Sequence, residues 1–291
     1  MHIQKSFENK EKGNLYIVPT PIGNLEDITY RALRTLKEVD IIAAEDTRQT
    51  QKLLNHFEIS TFTMSYHEHN KESAGRKILD YLQAQKNVAL VSDAGMPVIS
   101  DPGFEIISQA NQLVNVIVLP GANAALCALV GSGLSAEQFY FYGFLPRKKK
   151  EMKAVLDDLR YIKATLVFYE SPHRIKETLK GLKNGFGPNR KVAVARELTK
   201  RYEEYVRGTI DEILQWIESE ESQIRGEFCI VVEGSKEEKT EEENWWEHLS
   251  IIEHVNAYIQ NHGMTNKDAI KNTAKDRNIQ KREVYQIFHQ S

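Results

Sequence analysis

The chain has 291 residues, of which 41% are hydrophobic and 27% are charged, a balance typical of a globular protein with room for two domains. No apolar run is long enough to span a membrane and no basic-then-apolar leader opens the sequence, so we expect a cytoplasmic protein without membrane contact. The net charge of −3 excludes a uniformly basic surface but is compatible with a local basic face. Cys127 and Cys229 are too few for a disulfide framework, and we expect both to be buried thiols.

The first part of the chain alternates short apolar runs with segments of helical periodicity. Strands are predicted over residues 15–18, 41–44, 62–66, 88–91 and 114–119. Helices are expected between them, with Asp27 and Asp101 as N-terminal caps, Pro102 in a first helical position and an alanine-rich helix from Asn123. Such alternation predicts a mostly parallel sheet with helices on its faces.

The same rhythm restarts after residue 131 and predicts a second α/β domain. Its strands are expected over residues 139–144, 166–169, 192–195 and 228–232, with a possible extra strand over 202–207. We therefore predict an N-terminal α/β domain over 13–131, a C-terminal α/β domain over 132–234, a charged linker over 235–244 and a helix-turn-helix-like module over 245–291. The basic end of that module is compatible with nucleic-acid binding or with a helical cap on the core or on a partner subunit.

Three loops rich in glycine and proline follow predicted strands of the first domain. They cover residues 19–24, 92–103 and 119–125. Ligands of open α/β sheets bind beyond the carboxyl ends of the strands, and glycine lets the backbone approach a ligand closely. One such loop is explained by ordinary turn chemistry, but three after strands of one sheet favour a binding site. GxGxxG, GxxxxGK[ST] and GxSxG are all absent, which argues against a common dinucleotide fold, a P-loop enzyme and an α/β-hydrolase.

Polar clusters follow two strands of the second domain, over residues 170–174 and 196–203. They could face a cleft or form a salt-bridged surface corner, and their mixture of acids and bases favours the cleft. His67-Glu68-His69 lacks a visible third ligand, so we interpret it as surface polarity and predict no metal site. The basic run 147–150 suggests phosphate contact, with a solvated helix start as the alternative.

Eight segments occur in a specific order: TPIGNLEDIT, AAEDTR, VSDAGMPVISDPG, LPGANAA, GFLPR, FYESPHR, ARELTK and RGE. In this order they resemble the bacterial ribosomal RNA small subunit methyltransferase I family, a branch of the tetrapyrrole (corrin/porphyrin) methylases. The resemblance covers residues 14–234, and the C-terminal module is also similar.

The resemblance implies two α/β domains of the tetrapyrrole methylase type with S-adenosylmethionine in the cleft between them, and a homodimer. It implies methylation of the ribose 2′-hydroxyl of cytidine 1402, in the decoding centre of 16S rRNA within the small ribosomal subunit. The expected cofactor-binding residues are Pro21, Gly23, Asp93, Ala94, Gly95, Met96, Val98, Gly121, Asn123, Ala124, Tyr169 and Leu198.

A ribose hydroxyl is a poor nucleophile, so its proton needs a base or a nearby cation. Glu197, Lys200 and Arg174 are the candidates, and the sequence does not choose among them. The alternatives are a tetrapyrrole methylase on the same fold and a non-enzymatic RNA-binding or ribosome-assembly factor. The glycine-rich strand ends argue against the latter, because a pure binding module does not need them.

Overall fold

The computed structural model describes residues 3–6, 12–219, 224–237 and 245–289. The chain divides into two compact units, Met1–Lys236 and Glu237–Ser291. The first unit contains two five-stranded sheets, and the second contains helices. Among the described helices, none has the length and apolar character needed to cross a membrane.

The first sheet is parallel throughout, as its alternation with helices predicts. Its strands are β1 (Asn14–Ile17), β2 (Ile41–Ala44), β3 (Phe62–Ser65), β4 (Val88–Val91) and β5 (Asn115–Val118), in the spatial order β3-β2-β4-β1-β5. The helices of this part are α1 (Tyr30–Glu38), α2 (Thr47–His56), α3 (Lys71–Gln83), α4 (Phe104–Ala110) and α5 (Ala124–Ser132). Each expected strand is confirmed to within about a residue at either end.

The buried strands of this sheet supply two separate hydrophobic clusters. In β4, Val88 and Leu90 belong to one cluster, while Ala89 and Val91 belong to the other. Successive side chains of a strand point to opposite faces, so a strand that is apolar at every position must be covered on both sides. Strand β3 lies at the edge, which explains why Phe62 is exposed there instead of half-buried.

The second sheet is mixed, whereas the strand-helix alternation predicts mostly parallel pairing. Its strands are β6 (Phe139–Phe144), β7 (Thr165–Glu170), β8 (Lys191–Arg196), β9 (Glu204–Thr209) and β10 (Phe228–Val232), in the order β6-β7-β10-β8-β9. Only β6 and β7 pair in parallel; β10 runs antiparallel to both of its neighbours, and β8 and β9 pair antiparallel. Helices α6 (Lys149–Leu159), α7 (Ile175–Phe186) and α8 (Ile210–Glu218) belong to this part.

Helix α5 links the two sheets. Its residues Ala125, Ala128 and Leu129 are buried in one cluster with Val167 and Val231 of the second sheet. The helix therefore packs on the second sheet although it follows the last strand of the first. The remaining face of α5 is open, so Cys127 is exposed and the expectation of two buried thiols is wrong; Cys229 is buried.

Two expected helix caps are also wrong. Thr29, and not Asp27, caps α1, because its side chain accepts a hydrogen bond from the backbone N–H of Ala32 at 3.0 Å. Helix α4 begins after Gly103, whose φ of 142° only glycine adopts readily. Asp101 therefore does not cap α4, and it lines the cavity described below. The alanine-rich helix expected from Asn123 is confirmed as α5, and the Asn123 side chain caps it by accepting a hydrogen bond from the backbone N–H of Leu126 at 3.0 Å.

The C-terminal unit is a three-helix module with its own core. Helices α9 (Ile251–His262), α10 (Asn266–Asp276) and α11 (Lys281–His289) enclose a small apolar cluster around Val255, Ile270 and Val284. Thr265 caps α10. Most of the predicted linker, residues 238–244, lies outside the described residues. The predicted boundaries of the two α/β domains stay predictions.

Candidate active site

A cavity of about 400 Å³ lies beyond the carboxyl ends of the parallel strands and is closed by residues of the second sheet. This volume falls within the range of small-molecule sites. Of the twelve residues expected to bind cofactor, eight line it: Asp93, Ala94, Gly95, Met96, Asn123, Ala124, Tyr169 and Leu198. The three glycine-rich loops reach this edge because parallel strands end on the same side of a sheet.

The loop after β4 owes its shape to Gly95. This residue has a φ of 79°, in the left-handed region that favours glycine. Its backbone N–H donates to the carbonyl oxygen of Thr20, and the N–H of Thr20 donates back to Gly95, both at 3.0 Å. A Cβ at Gly95 would come within 3.2 Å of Ile22 Cγ2 in the cavity wall. The loops after β4 and β1 are therefore held together across the site.

The carboxylates that line the cavity include three from loops of the first sheet: Glu45 after β2, Asp93 after β4, and Asp101 before α4. Burial raises the pKa of Asp101 to about 6, and the neighbouring charge of Glu45 adds to this effect. Burial also raises the pKa of Glu45 and of Asp93. Carboxylates that repel one another in a half-buried cavity are stabilised by a positively charged ligand.

The second sheet contributes a tyrosine that meets the start of α5. The hydroxyl oxygen of Tyr169 accepts a hydrogen bond from the backbone N–H of Ala125 at 3.2 Å. Burial raises the pKa of Tyr169 to about 12, so the phenol stays neutral near neutral pH. Phe141 and Phe144 pack against its ring, with centroids 4.9 and 5.8 Å away. Tyr169 is therefore a fixed, neutral wall of the cavity.

Lys200 is the one candidate catalytic residue among those lining the cavity in the described chain. Its Nζ lies 3.0 Å from Glu197 Oε1 and 3.3 Å from Glu227 Oε2. Partial burial lowers the pKa of Lys200, but the hydrogen bond to Glu197 and the charge of Glu227 outweigh burial and raise the pKa overall. Lys200 is therefore a cation at neutral pH. Glu197 holds that cation and does not itself line the cavity.

Arg174 lies beneath the neighbouring loop and not on the cavity wall. Its guanidinium donates to the carbonyl oxygens of Leu145 and Pro146 at 3.0–3.2 Å. The nearest carboxylate oxygen, of Glu170, is 3.8 Å away, and Glu170 in turn accepts a hydrogen bond from the Thr178 hydroxyl at 2.5 Å. These contacts indicate that Arg174 holds the loop after β6 in place; its catalytic role stays a prediction.

The remaining four expected cofactor residues lie elsewhere. Pro21 and Gly23 border an adjoining open groove of about 550 Å³, which shares Asp93 and Glu227 with the cavity. Val98 packs against the hydrophobic core of the first sheet. Gly121 lies against Pro19, where a Cβ would come within 2.6 Å of the proline Cβ. Val98 and Gly121 line neither space, and their role in cofactor binding stays a prediction.

Sequence reasoning named some of the remaining wall residues only as parts of a segment. Ile22, Ile99, Ser100 and Asp101 lie in the glycine-rich loops, and Glu170, Ser171 and Pro172 lie in the polar cluster expected to face a cleft. The residues it missed are Glu45, Phe144, Glu227, Phe228 and Cys229. Glu45 directly follows a buried strand, and Asp101 lies within a glycine-rich loop, so both positions carried a signal. Nothing in the sequence indicated Phe228 and Cys229, because these strand residues reach the cavity only through the pairing of β10 with β7 and β8.

The other polar motifs lie apart from the cavity lining. The rings of His67 and His69 are 6.0 Å apart, and no group of three potential metal ligands occurs among the described residues. The basic run 147–150 is exposed at the start of α6, where Lys148 pairs with Glu151 at 2.8 Å and Lys149 with Glu177 at 3.6 Å.

The cavity fits S-adenosylmethionine chemically. Glycine at position 95 leaves space that a side chain would fill, and apolar side chains such as Ile22, Met96 and Leu198 supply a surface for an adenine ring. The carboxylates match the positive charges and hydroxyl groups of that molecule.

Comparisons with known proteins show which proteins the chain resembles. Residues 14–214 match the family model of Tetrapyrrole (Corrin/Porphyrin) Methylases. A Bacillus subtilis (strain 168) protein named ribosomal RNA small subunit methyltransferase I is 58% identical, over 98% of this chain and 98% of that protein. A protein of the same name from Halalkalibacterium halodurans is 54% identical over the full length of both.

The fold is shared with more distant solved structures. Uroporphyrin-III C-methyl transferase from Thermus thermophilus, complexed with S-adenyl homocysteine, matches with a TM-score of 0.55 and 19% identity, over 76% of this chain and 97% of that chain. With a family model over residues 14–214 and near full-length relatives above 50% identity, the chain belongs to the tetrapyrrole (corrin/porphyrin) methylase family and is an S-adenosylmethionine-dependent methyltransferase.

Proposed function

We propose that the chain methylates the RNA of the small ribosomal subunit, at the ribose 2′-hydroxyl of cytidine 1402 in 16S rRNA. The main support is the name shared by relatives that are 58% and 54% identical over nearly the whole chain. The cavity is consistent with this reaction, because a cation, Lys200, lies beside a site suited to the cofactor.

When bound, S-adenosylmethionine supplies an activated methyl group, so the protein mainly has to align the acceptor hydroxyl and stabilise its developing charge. Lys200 offers a positive charge at the cavity wall, and Glu197 fixes its position. Tyr169 of β7 and Leu198, in the loop after β8, limit the space beside the glycine-rich loops and exclude water. Glu197 is thus a positioning residue, and Lys200 is the proposed catalytic one.

Mass mapping of 16S rRNA from cells that lack and then regain the gene tests this proposal. We expect one 2′-O-methyl group to disappear from the decoding centre and to return with the gene. Calorimetry with the cofactor tests the alternative that the protein is a non-enzymatic assembly factor, which would not need to bind S-adenosylmethionine. If the rRNA methylation pattern were unchanged and the protein methylated a tetrapyrrole in vitro, the substrate would be a tetrapyrrole and not RNA.

Cofactor affinity should depend on pH through Asp101. Protonation of a carboxyl with a pKa of about 6 removes a negative charge from the cavity as the pH falls. The cofactor carries a fixed sulfonium charge, so we expect its Kd to rise roughly fivefold between pH 7 and pH 5. S-adenosylhomocysteine lacks that charge and serves as the control ligand, with a smaller change. Calorimetry should show a flatter profile for Asp101→Asn; an identical profile would remove Asp101 from this role.

We also propose a homodimer formed through an apolar surface on α5 and two edge strands. Val118 of β5, Leu126 and Val130 of α5, and Phe139 and Tyr140 of β6 are between 43% and 77% exposed. Large exposed apolar surfaces mark protein contacts. We expect light scattering to give twice the mass of 33.4 kDa, and Val130→Asp to give the monomer. Tyr30→Asp, at a 94% exposed position on α1, is the control and should stay dimeric. A monomeric native protein would contradict the proposal.

Ending the chain at Lys236, the last residue of the first compact unit, should leave cofactor binding intact. It should weaken RNA binding and flatten its salt dependence, because α10 and α11 carry basic side chains. Arg277 is excluded from that set, since it donates to the carbonyl oxygens of Trp246 and Leu249 inside the module. Titrations at two salt concentrations measure the effect. If RNA affinity and its salt slope are unchanged, or if the shortened chain aggregates, the C-terminal module has a structural role.

A further inference from the structure

The open groove beside the cofactor cavity has the chemistry of a nucleotide-binding surface. Pro21, Leu25 and Leu53 supply its apolar part, while Gln49, Lys52 and His56 supply hydrogen-bonding groups. Asp93 and Glu227 line both the groove and the cavity, so the two spaces adjoin. A chain that crosses the groove therefore passes the site of methyl transfer.

Helix α2 places these groups by its periodicity. Residues 49, 52, 53 and 56 are spaced by three and four, so they share one helix face along the groove. Lys52 and His56 are one turn apart, and both are exposed. The opposite side of the helix is anchored by Thr50 and Leu54, which are buried. The basic groups are thus presented on a rigid element.

The charge of Lys52 is available to a ligand. Its Nζ donates to the side-chain oxygen of Gln49 at 3.0 Å, and no carboxylate pairs with it among the residues described. By contrast, Arg48, one turn earlier, is held by Asp46 at 2.8 Å. Lys148 and Lys149 of the basic run also have carboxylate partners, and neither Arg147 nor Lys150 of that run lines the groove or the cavity. Because it borders the groove that adjoins the cavity, the α2 face is the stronger candidate for phosphate contact there.

We propose that this groove binds the RNA strand adjoining the target nucleotide, with Lys52 and His56 contacting its phosphates and Leu25 and Leu53 its sugars or bases. The inference rests on the proposed function, since it presupposes an RNA substrate. At the shared end, Glu227 is paired with Lys200, and Asp93 repels phosphate from the cofactor cavity. That polarity directs the backbone of the RNA toward α2 while the target nucleoside enters the cavity.

The test compares full-length variants binding a 16S rRNA fragment that contains the decoding-centre helix, by fluorescence anisotropy at several salt concentrations. Lys52→Ala should weaken binding and lower the salt slope by about one, as expected for one lost phosphate contact. Lys52→Glu should weaken binding at least about tenfold, and Lys52→Arg should restore it. His56→Ala should weaken binding less. Lys77→Ala, at an exposed lysine of α3 that lines neither space, is the control.

Two further measurements separate this inference from its alternatives. Calorimetry should give an unchanged cofactor Kd for the Lys52 variants, and methylation assays should show a raised KM for RNA with kcat nearly unchanged. Wild-type RNA affinity and salt slope in Lys52→Glu, with the native protein methylating rRNA, would overturn the groove assignment alone. A native protein that neither binds nor methylates rRNA would overturn the proposed function, and the groove assignment with it.

Discussion

Replacing Gly95 by valine should weaken S-adenosylmethionine binding by roughly 10- to 100-fold. A residue with a Cβ loses about 1–2 kcal/mol in the left-handed conformation, and a β-branched one at φ 79° also meets Ile22 at the cavity wall. The loop relieves this strain by shifting its backbone. That shift moves Asp93, Ala94 and Met96 and breaks the paired hydrogen bonds to Thr20. Calorimetry with the cofactor measures the loss.

Gly133 provides a matched control. It has a φ of 76°, no atom lies within 4 Å of the position of its Cβ, and it ends α5 outside the cavity lining. Gly133→Val should therefore carry the same left-handed strain without the contact to Ile22, lower the free energy of unfolding less than Gly95→Val does, and leave cofactor affinity unchanged. Thermal melts of both variants measure the two losses of stability. Native cofactor affinity in a folded Gly95→Val protein would place the cofactor elsewhere.

Lys200→Ala should lower kcat for methyl transfer by about 10²- to 10³-fold, the usual effect of removing a charged group that stabilises a developing negative charge. Because Lys200 is a cation held by Glu197 and Glu227, we expect it to act by charge and not by removing the proton. The cofactor Kd should change less than about threefold, since the cavity keeps Glu45, Asp93 and Asp101. Single-turnover methylation of 16S rRNA measures the chemical step.

Two neighbouring variants sharpen this test. Arg201→Ala removes the next basic side chain, which is exposed and lies over the Tyr202 ring, and it should keep native turnover. Glu197→Gln weakens the hold on Lys200 without removing its charge, so it should give an intermediate kcat. If Lys200→Ala turns over at the native rate, the charge must come from another group, and Arg174 is the next residue to replace.

Much of the fold follows from local patterns. The continuous apolar runs at Val88–Val91 and Phe228–Val232 predict buried strands at their observed bounds, because burial on both faces demands apolar residues at every position. The glycine-rich segments predict the ligand-binding edge, since glycine is needed where backbone turns sharply or approaches a ligand. The order of eight short motifs indicates the methylase family, and the family model and the relatives confirm it.

Features that depend on contacts between residues distant in sequence were decided only by the tertiary structure. The apolar pattern of β10 indicates that the strand is buried but not in which direction it runs. Its antiparallel pairing with β7 and β8 could therefore not be predicted from the sequence. Asp101 has the composition of a helix cap, and only the start of α4 after Gly103 turns it into a cavity carboxylate. Likewise Lys200 and Arg174 look equivalent in sequence, and the chain fold brings Lys200 to the cavity while the loop after β6 engages Arg174. Local sequence thus determines which residues are buried, capped or turned, whereas the chemistry of the site depends on non-local packing that brings its charges together.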